Sequence, residues 1–133
     1  PVRDMVEKVR VACAARANPR ETLIIARTDA RQSEGLEGAV RRGLAYAEAG
    51  ADVVFLEALE SEEEMREGNR RIARPTMANM ADGGRTPIRS AKALEGMGYA
   101  MAIYPSLTGL AAARAVENAL TAFKEEGTSD SPR

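Results

Sequence analysis

The sequence contains no histidine and a single cysteine, Cys13. Without histidine the chain has no imidazole to act as a general base, and with no Cys-x-x-Cys motif it offers no zinc site of its own. A single cysteine also excludes an internal disulfide and is typical of proteins in a reducing cytoplasm. We therefore expect a cytoplasmic protein whose chemistry rests on neither a zinc site nor a histidine base.

An excess of charge of either sign is also lacking, because 19 basic residues face 20 acidic ones for a net charge of -1. This balance gives no electrostatic argument for a nucleic acid or an anionic membrane as partner. The longest apolar runs fall far below the roughly 20 residues of a membrane-spanning helix. No signal-peptide pattern opens the chain, so we expect neither nucleic-acid nor membrane binding.

The length of 133 residues suffices for one domain and not for two. The first residue is proline rather than methionine, which favours a processed product or a fragment. The last residues are polar and include a proline, as is typical of frayed ends. We predict one domain over residues 1–127 and a disordered tail over residues 128–133.

A short apolar run, Leu23–Ala26, leads directly into Arg27, Thr28 and Asp29. Such a run predicts a strand buried on both faces, as parallel sheets require. Three more apolar runs predict strands, and helical periodicity, caps and stops predict the helices, with Ser61 and Ser90 as N-caps. The predicted strands are 23–26, 52–56, 76–78 and 100–103, and the predicted helices are 2–17, 36–49, 61–74, 90–97 and 107–124, with Gln32–Gly35 as a loop and Ala113, Val116, Leu120 and Phe123 as the buried face of the last helix.

This alternation predicts parallel strands with helical crossovers, and two architectures fit it. One is half of an eight-stranded (β/α) barrel, which needs about 250 residues when complete. The other is a small, open, doubly wound sheet with a non-sequential strand order. In that second architecture Arg27 and Asn79 would lie far apart.

Four polar residues each follow the last apolar residue of a predicted strand: Arg27, Glu57, Asn79 and Tyr104. In a parallel sheet they would share one rim, the edge at which ligands bind. The fork of donors on Arg27 matches a carboxylate or phosphonate. Gly83-Gly84 would let backbone N–H groups approach an anion, and Thr86 would add a hydroxyl. The structural alternatives are an ion pair for Arg27 and Glu57, a simple turn for the glycines and packing for the tyrosine.

The motifs Ala26-Arg27-Thr28-Asp29-Ala30, Glu57-Ala58, Ala78-Asn79-Met80, Gly83-Gly84-Arg85-Thr86-Pro87 and Tyr104-Pro105 stand in this order along nearly the whole chain. In motif order and spacing the chain resembles the isocitrate lyase/phosphoenolpyruvate mutase superfamily, particularly its methylisocitrate-lyase-like and carboxyphosphonoenolpyruvate-phosphonomutase-like branch. The resemblance implies strands five to eight of a TIM-type (β/α)₈ barrel.

The resemblance further implies a Mg²⁺-dependent lyase or phosphonomutase. It would cleave or form a C–C or C–P bond of an α-hydroxy or α-keto carboxylate through an enolate. The catalytic residues that the resemblance implies are Arg27 and Glu57. Arg27 would bind the substrate carboxylate, and Glu57 would lie beside it, near the water shell of the metal. The remaining substrate-binding residues that the resemblance implies are Asn79, Met80, Ala81, Gly83, Gly84, Thr86, Tyr104 and Pro105.

The family's Mg²⁺ ligands and acid/base loop belong to the first half of the barrel, so we expect the isolated chain to lack turnover. Exposed edges at Leu23–Ala26 and Ala100–Ile103 would favour a homo-oligomer or pairing with an N-terminal half. Two other functions fit the sequence: a non-catalytic half-barrel oligomer, and a doubly wound module that binds an anionic metabolite.

Overall fold

The computed structural model describes residues 1–130, and it divides into two compact units. The first unit runs from Pro1 to Ile103 and the second begins at Tyr104. The single domain predicted for residues 1–127 remains a prediction, and residues 131–133 of the predicted tail lie outside the described part. Within residues 1–130, no helix has both the length and the apolar character needed to cross a membrane.

Helices and strands alternate along the chain after a first helix. The first unit contains four helices and four strands, and the second contains one helix. In chain order the elements are α1 (Val2–Ala15), β1 (Ile25–Thr28), α2 (Arg31–Glu48), β2 (Val53–Leu56), α3 (Glu62–Arg71), β3 (Met77–Asn79), α4 (Ala91–Gly96), β4 (Met101–Ile103) and α5 (Leu107–Glu126).

The four strands are parallel and follow one another in chain order. β1 pairs with β2, from Ile25 opposite Val53 to Thr28 opposite Leu56. β3 pairs with β4 in the same sense, and a parallel bridge between Val54 and Thr76 links the two pairs. A doubly wound sheet requires a non-sequential order, so that alternative is wrong.

Burial differs between the central and the outer strands of this order. All four residues of β2 are buried, because β2 lies between β1 and β3. On the helix side, Ala26 of β1 packs with Val9 of α1 and Tyr46 of α2. The core therefore lies between the sheet and its helices, and the carboxyl ends of the strands meet at one edge.

β1 differs from the strand predicted at residues 23–26. It begins at Ile25 and ends at Thr28, so Arg27 lies within the strand rather than after it. The prediction of burial on both faces was wrong, because Ala26 and Thr28 are buried while Ile25 is 41% exposed. The reason is that β1 is an outer strand, packed against helices on one face only. All three residues of β4, the other outer strand, are exposed.

α2 begins earlier than predicted. The segment Gln32–Gly35, predicted as a loop, forms a helical turn in which the N–H of Glu34 donates to the carbonyl of Ala30 at 2.7 Å. Gly35 then adopts φ +68° and ψ -175°, which breaks the helical path within the element. Glycine is suited to this positive φ because it has no Cβ.

The predicted N-caps of α3 and α4 are confirmed. The hydroxyl of Ser61 accepts from the N–H of Glu64 at 3.2 Å, and that of Ser90 accepts from the N–H of Ala93 at 3.2 Å. Each bond satisfies a backbone donor that the first helical turn leaves unpaired.

α5 does not bury the apolar face that its sequence predicts. Val116, Leu120 and Phe123 are more than half exposed, and Ala113 is exposed as well. The second unit consists of this helix and its flanking residues, so the helix has no second layer within its own unit to pack against. The predicted burial of this face is therefore wrong for the described chain.

Candidate functional site

The guanidinium of Arg27 is held from two sides. Its Nε and Nη2 donate to the two carboxylate oxygens of Asp29, at 3.0 and 2.7 Å. Its central carbon lies 5.0 Å from the centre of the Phe55 ring, which occupies the opposite register position on β2. The hydrogen bond from Arg27 lowers the pKa of the Asp29 carboxyl and in turn raises the pKa of Arg27. Both groups are therefore charged at neutral pH.

Glu57 connects Arg27 with Asn79. Its Oε2 lies 3.3 Å from the Nη2 of Arg27 and accepts a hydrogen bond from the Nδ2 of Asn79 at 3.2 Å. The N–H of Glu57 donates to the carbonyl of Thr28 at 3.0 Å, which fixes the residue at the end of the β1–β2 ladder. Three of the four predicted rim residues thus lie together. The ion pair between Glu57 and Arg27, which was the structural alternative for these two residues, is also present.

One buried acceptor in this cluster lacks a partner. The Oδ1 of Asn79 is inaccessible to solvent and accepts no hydrogen bond from any described residue. A buried polar atom without a partner costs about 1–3 kcal/mol, and such atoms are rare in folded proteins. The amide oxygen of Asn79 is therefore suited to a donor supplied by a ligand or a water.

The loop that follows β3 contains several of the substrate-binding residues that the resemblance implies. Met80 is 1% exposed, and its sulfur accepts from the N–H of Arg89 at 3.2 Å, so its side chain packs beneath the loop. The carbonyl of Ala81 accepts from the N–H of Gly84 at 3.0 Å, and Gly83 between them has φ +73°. The glycines thus form a turn, and Thr86 beyond them is half-buried. The binding roles of these residues remain predictions.

Ion pairs connect the segments that follow β1, β2 and β3. Glu60 lies 3.0 Å from Arg31 at the start of α2 and 3.0 Å from Arg85 in the loop after β3. Glu64 adds a second pair to Arg31 at 2.7 Å. The loop with the glycine turn is thereby attached to the beginning of α3. The sequence showed these charges but gave no sign of their pairing.

Tyr104, the fourth predicted rim residue, and Pro105, a substrate-binding residue implied by the resemblance, belong to the second unit. The carbonyl of Tyr104 accepts from the N–H of Leu107 at 3.3 Å, in the turn that begins α5. Their predicted contact with a substrate remains a prediction.

Two residues of the cluster, Asp29 and Phe55, were not predicted to belong to it. Asp29 could have been found from its position two residues after Arg27, since residues i and i+2 of an extended segment lie on the same side. Phe55 could be found only from the strand register, because its place opposite Arg27 depends on how β1 and β2 pair. Sequence alone does not give that register.

The described residues do not fit a Mg²⁺ site. Among residues 1–130 there is no group of three or more acidic, histidine or cysteine side chains that could hold a metal ion. The two carboxylates of the cluster are already engaged, Asp29 with Arg27 and Glu57 with both Arg27 and Asn79. Mg²⁺ requires near-octahedral oxygen ligands, and this set of residues does not offer them.

Curated relatives of this chain are matched over part of their own length. 2,3-Dimethylmalate lyase from Eubacterium barkeri is 46% identical over 125 residues, which cover 94% of this chain and 43% of the relative. 2-Methylisocitrate lyase from Bacillus subtilis (strain 168) is 42% identical over 128 residues, covering 96% of this chain and 42% of the relative. The chain thus spans about two fifths of the length of these relatives.

Solved structures agree with the sequence relatives. The crystal structure of a 2,3-dimethylmalate lyase has a TM-score of 0.90 at 33% identity and is matched over 100% of this chain and 48% of its own. Phosphonopyruvate hydrolase in complex with oxalate and Mg²⁺ has a TM-score of 0.80 at 25% identity, matched over 98% of this chain and 46% of its own. The predicted fold class, the second half of a (β/α)₈ barrel, is confirmed.

A family model provides the broadest assignment. The model for phosphoenolpyruvate phosphomutase matches residues 1–124, which is nearly the whole chain. Together with relatives and structures named as lyases and hydrolases, this match confirms the superfamily that the sequence motifs indicated. The chain belongs to the phosphoenolpyruvate phosphomutase family.

Proposed function

We propose that this chain forms the C-terminal half of a Mg²⁺-dependent lyase or phosphonomutase. The whole protein would cleave or form a C–C or C–P bond of an α-hydroxy or α-keto carboxylate through an enolate. The observation that carries this proposal is the cluster of Arg27, Glu57 and Asn79 at the carboxyl ends of three adjacent parallel strands. Ligands bind at this end of the strands in parallel barrels.

The role of Arg27 is to bind the carboxylate of the substrate. A guanidinium keeps its charge at any physiological pH and offers paired donors that match two carboxylate oxygens. The Arg27 side chain is 49% exposed, so a small anion can reach it from solvent. Its attachment to Asp29 and Phe55 lowers the entropy lost when the ligand binds.

Glu57 and Asn79 orient the reacting part of the substrate beside this carboxylate. The Asn79 amide uses its N–H on Glu57 and keeps its Oδ1 for a hydroxyl donor, the group that distinguishes an α-hydroxy acid. Glu57 holds both neighbours through one oxygen, Oε2, and is only 16% exposed. Removing its carboxylate should therefore disturb the positions of Arg27 and Asn79 together.

Mg²⁺ dependence is proposed for the whole protein and not for the described residues. The engaged carboxylates of Asp29 and Glu57 leave no metal site here, while a structural neighbour contains oxalate and Mg²⁺. We accordingly expect the isolated chain to bind small carboxylates without turning them over. Robust Mg²⁺-dependent turnover of oxaloacetate, methylisocitrate or phosphonopyruvate by the isolated chain would contradict this expectation.

Titration of the isotopically labelled chain with oxalate, followed by NMR, tests the binding proposal. Oxalate offers carboxylate oxygens and no hydrogen-bond donor, so we expect it to perturb the Arg27 guanidinium signals, and Arg27→Ala to abolish the effect. Arg114→Ala is a matched control, because among residues 1–130 Arg114 pairs only with Glu117, on the exposed surface of α5. Saturating oxalate that leaves the Arg27 signals unchanged in the wild-type chain would remove Arg27 from the proposed site.

Association with another polypeptide is a further part of the proposal. The outer strands, β1 and β4, expose apolar side chains: Ile25 is 41% exposed, Met101 36% and Ile103 39%. Among the described residues, each of these two strands also has one edge that is not paired with another strand. Exposed parallel edges of this kind favour pairing with a further strand. A homo-oligomer or a complex with an N-terminal half would satisfy them, and sedimentation of the chain as a well-folded monomer would count against both.

A further inference from the structure

We propose that Asp29 and Phe55 are positioning residues that hold the Arg27 guanidinium with one edge free for the ligand. The free edge is the end formed by Nη1 and the second N–H of Nη2. The inference deepens the proposed carboxylate binding and rests on it. It adds the direction from which the carboxylate approaches and the two residues that determine this direction.

The contacts of the Arg27 guanidinium show which of its edges is occupied and which is free. A guanidinium has five N–H donors in one plane, and a carboxylate can bind either at the side edge, Nε with Nη2, or at the end. Asp29 occupies the side edge with two hydrogen bonds, at 3.0 and 2.7 Å. Glu57 lies 3.3 Å from Nη2 without accepting a well-aligned hydrogen bond. Among the described residues, nothing accepts from Nη1.

Phe55 determines the plane in which these edges lie. Its ring is 5.0 Å from the central carbon of Arg27, within the roughly 6 Å of a cation–π contact. The ring is itself fixed, since Phe55 is 4% exposed and packs with Val53 and Met77. One face of the guanidinium is therefore covered, and a carboxylate that accepts from its N–H donors binds along the plane.

Asp29 could have a different role, and the two roles predict opposite effects. If Asp29 occupied the place of the substrate carboxylate, it would compete with the ligand, and Asp29→Asn would tighten anion binding. If Asp29 positions the guanidinium, the same substitution frees the side edge but loosens Arg27, so anion binding weakens. The ring contact with Phe55 favours positioning, because it fixes the same guanidinium independently of Asp29.

The test follows the Nε–H signal of Arg27 by NMR, assigned through its loss in Arg27→Lys. We expect Phe55→Met to remove the ring-current shift of this signal, while Phe55→Tyr, which keeps a ring, retains it. We expect Asp29→Asn to accelerate exchange of the Nε proton with water about twofold to fivefold, the range for an exposed ion pair. Asp4→Asn makes the same chemical change at an exposed site in α1 and should alter neither property.

Oxalate titration of the same variants completes the test. We expect Asp29→Asn and Phe55→Met each to weaken oxalate binding about twofold to fivefold, with Phe55→Tyr close to the wild type. Tighter binding by Asp29→Asn, or an Arg27 signal that Phe55→Met leaves unchanged, would overturn the inference. If the wild-type chain binds no oxalate, the proposed function fails, and the Nε–H signal alone decides whether the two residues fix the guanidinium.

Discussion

Replacing Asp52 with alanine tests how the opposite, amino-terminal end of the sheet is stabilised. Asp52 directly precedes β2, and its Oδ2 accepts from the N–H of Ile24 at 2.8 Å. The same oxygen pairs with Arg16, the residue that directly follows α1. One carboxylate thus joins α1, the segment before β1 and the start of β2, and its loss should destabilise all three connections.

The expected loss of stability follows from these partners. A hydrogen bond to a charged group contributes about 1.5–3 kcal/mol, which Asp52→Ala removes from Ile24. The ion pair with Arg16 is partly exposed and adds up to about 1 kcal/mol. We therefore expect Asp52→Ala to lower the free energy of unfolding by about 2–4 kcal/mol. Asp52→Asn keeps an acceptor for Ile24 and should cost only about 1–2 kcal/mol.

The pH dependence of the difference identifies the charge as the cause. The Ile24 N–H, and after it the Arg16 guanidinium, hold the pKa of the Asp52 carboxyl below its usual value. A lowered pKa in the folded state means that the contribution is fully present above the unfolded pKa of about 3.9 and is lost as the pH falls through the folded pKa. The stability difference between wild type and Asp52→Asn should therefore disappear in acid.

Urea unfolding followed by circular dichroism measures these differences as shifts in the midpoint at constant slope. Two results would refute the reasoning. One is an equal loss for Asp52→Asn and Asp52→Ala, which would show that the acceptor for Ile24 contributes nothing. The other is a difference between wild type and Asp52→Asn that persists unchanged below the folded pKa.

Two further predictions concern the packing around α4. Gly98 has φ +91°, and an added Cβ would lie 2.7 Å from the Nδ2 of Asn69, so we expect Gly98→Ala to cost about 1–3 kcal/mol in thermal unfolding. Gly96→Ala is its control, because an added Cβ at Gly96 would meet no atom within 4 Å, and replacing glycine with alanine stabilises a helix by up to about 1 kcal/mol. An equal loss of stability in both variants would contradict the prediction. Burial raises the pKa of Tyr99 to about 12, so its stabilising contribution should fall as the pH rises above about 10, the pKa of an unfolded tyrosine. Absorbance titration against Tyr99→Phe measures this pKa, and a phenol of Tyr99 that ionises near 10 would show that it is not buried.

The order and type of the elements could be predicted from the sequence because each depends on local signals. Ser61 and Ser90 begin helices where their hydroxyls can cap them, and the apolar runs mark all four strands. The limits of β1 could not be predicted in this way. Arg27 and Thr28 extend the strand because Arg27 pairs opposite Phe55 and Thr28 opposite Leu56. That pairing is a tertiary property, and it overrides the polarity that predicted the end of the strand.

The same difference applies to the candidate site. Arg27, Glu57 and Asn79 could be predicted to lie together, because parallel strands bring their carboxyl ends to one edge. The contacts of Arg27 with Asp29 and Phe55 could not be predicted, since they depend on side-chain rotamers and on the register of β1 with β2.

Burial of the last helix, α5, was mispredicted for a related reason. An apolar stripe shows which face a helix can bury, but not whether a surface for it exists in the same unit.

The side-chain acceptors at the two ends of the sheet differ in how they are paired among the described residues. At the amino-terminal end, the Oδ2 of Asp52 accepts from both Ile24 and Arg16, although the buried Nε of Arg16 itself has no partner among the described residues. At the carboxyl end, the Oδ1 of Asn79 lacks a partner among the described residues, and so does the Nη1 of Arg27. Unpaired groups destabilise the free chain, and they favour binding when a ligand supplies the missing partners. The doubly bonded carboxylate argues that Asp52 serves stability, and the unpaired acceptor of Asn79 beside the unpaired donor of Arg27 is suited to a ligand with both a carboxylate and a hydrogen-bond donor.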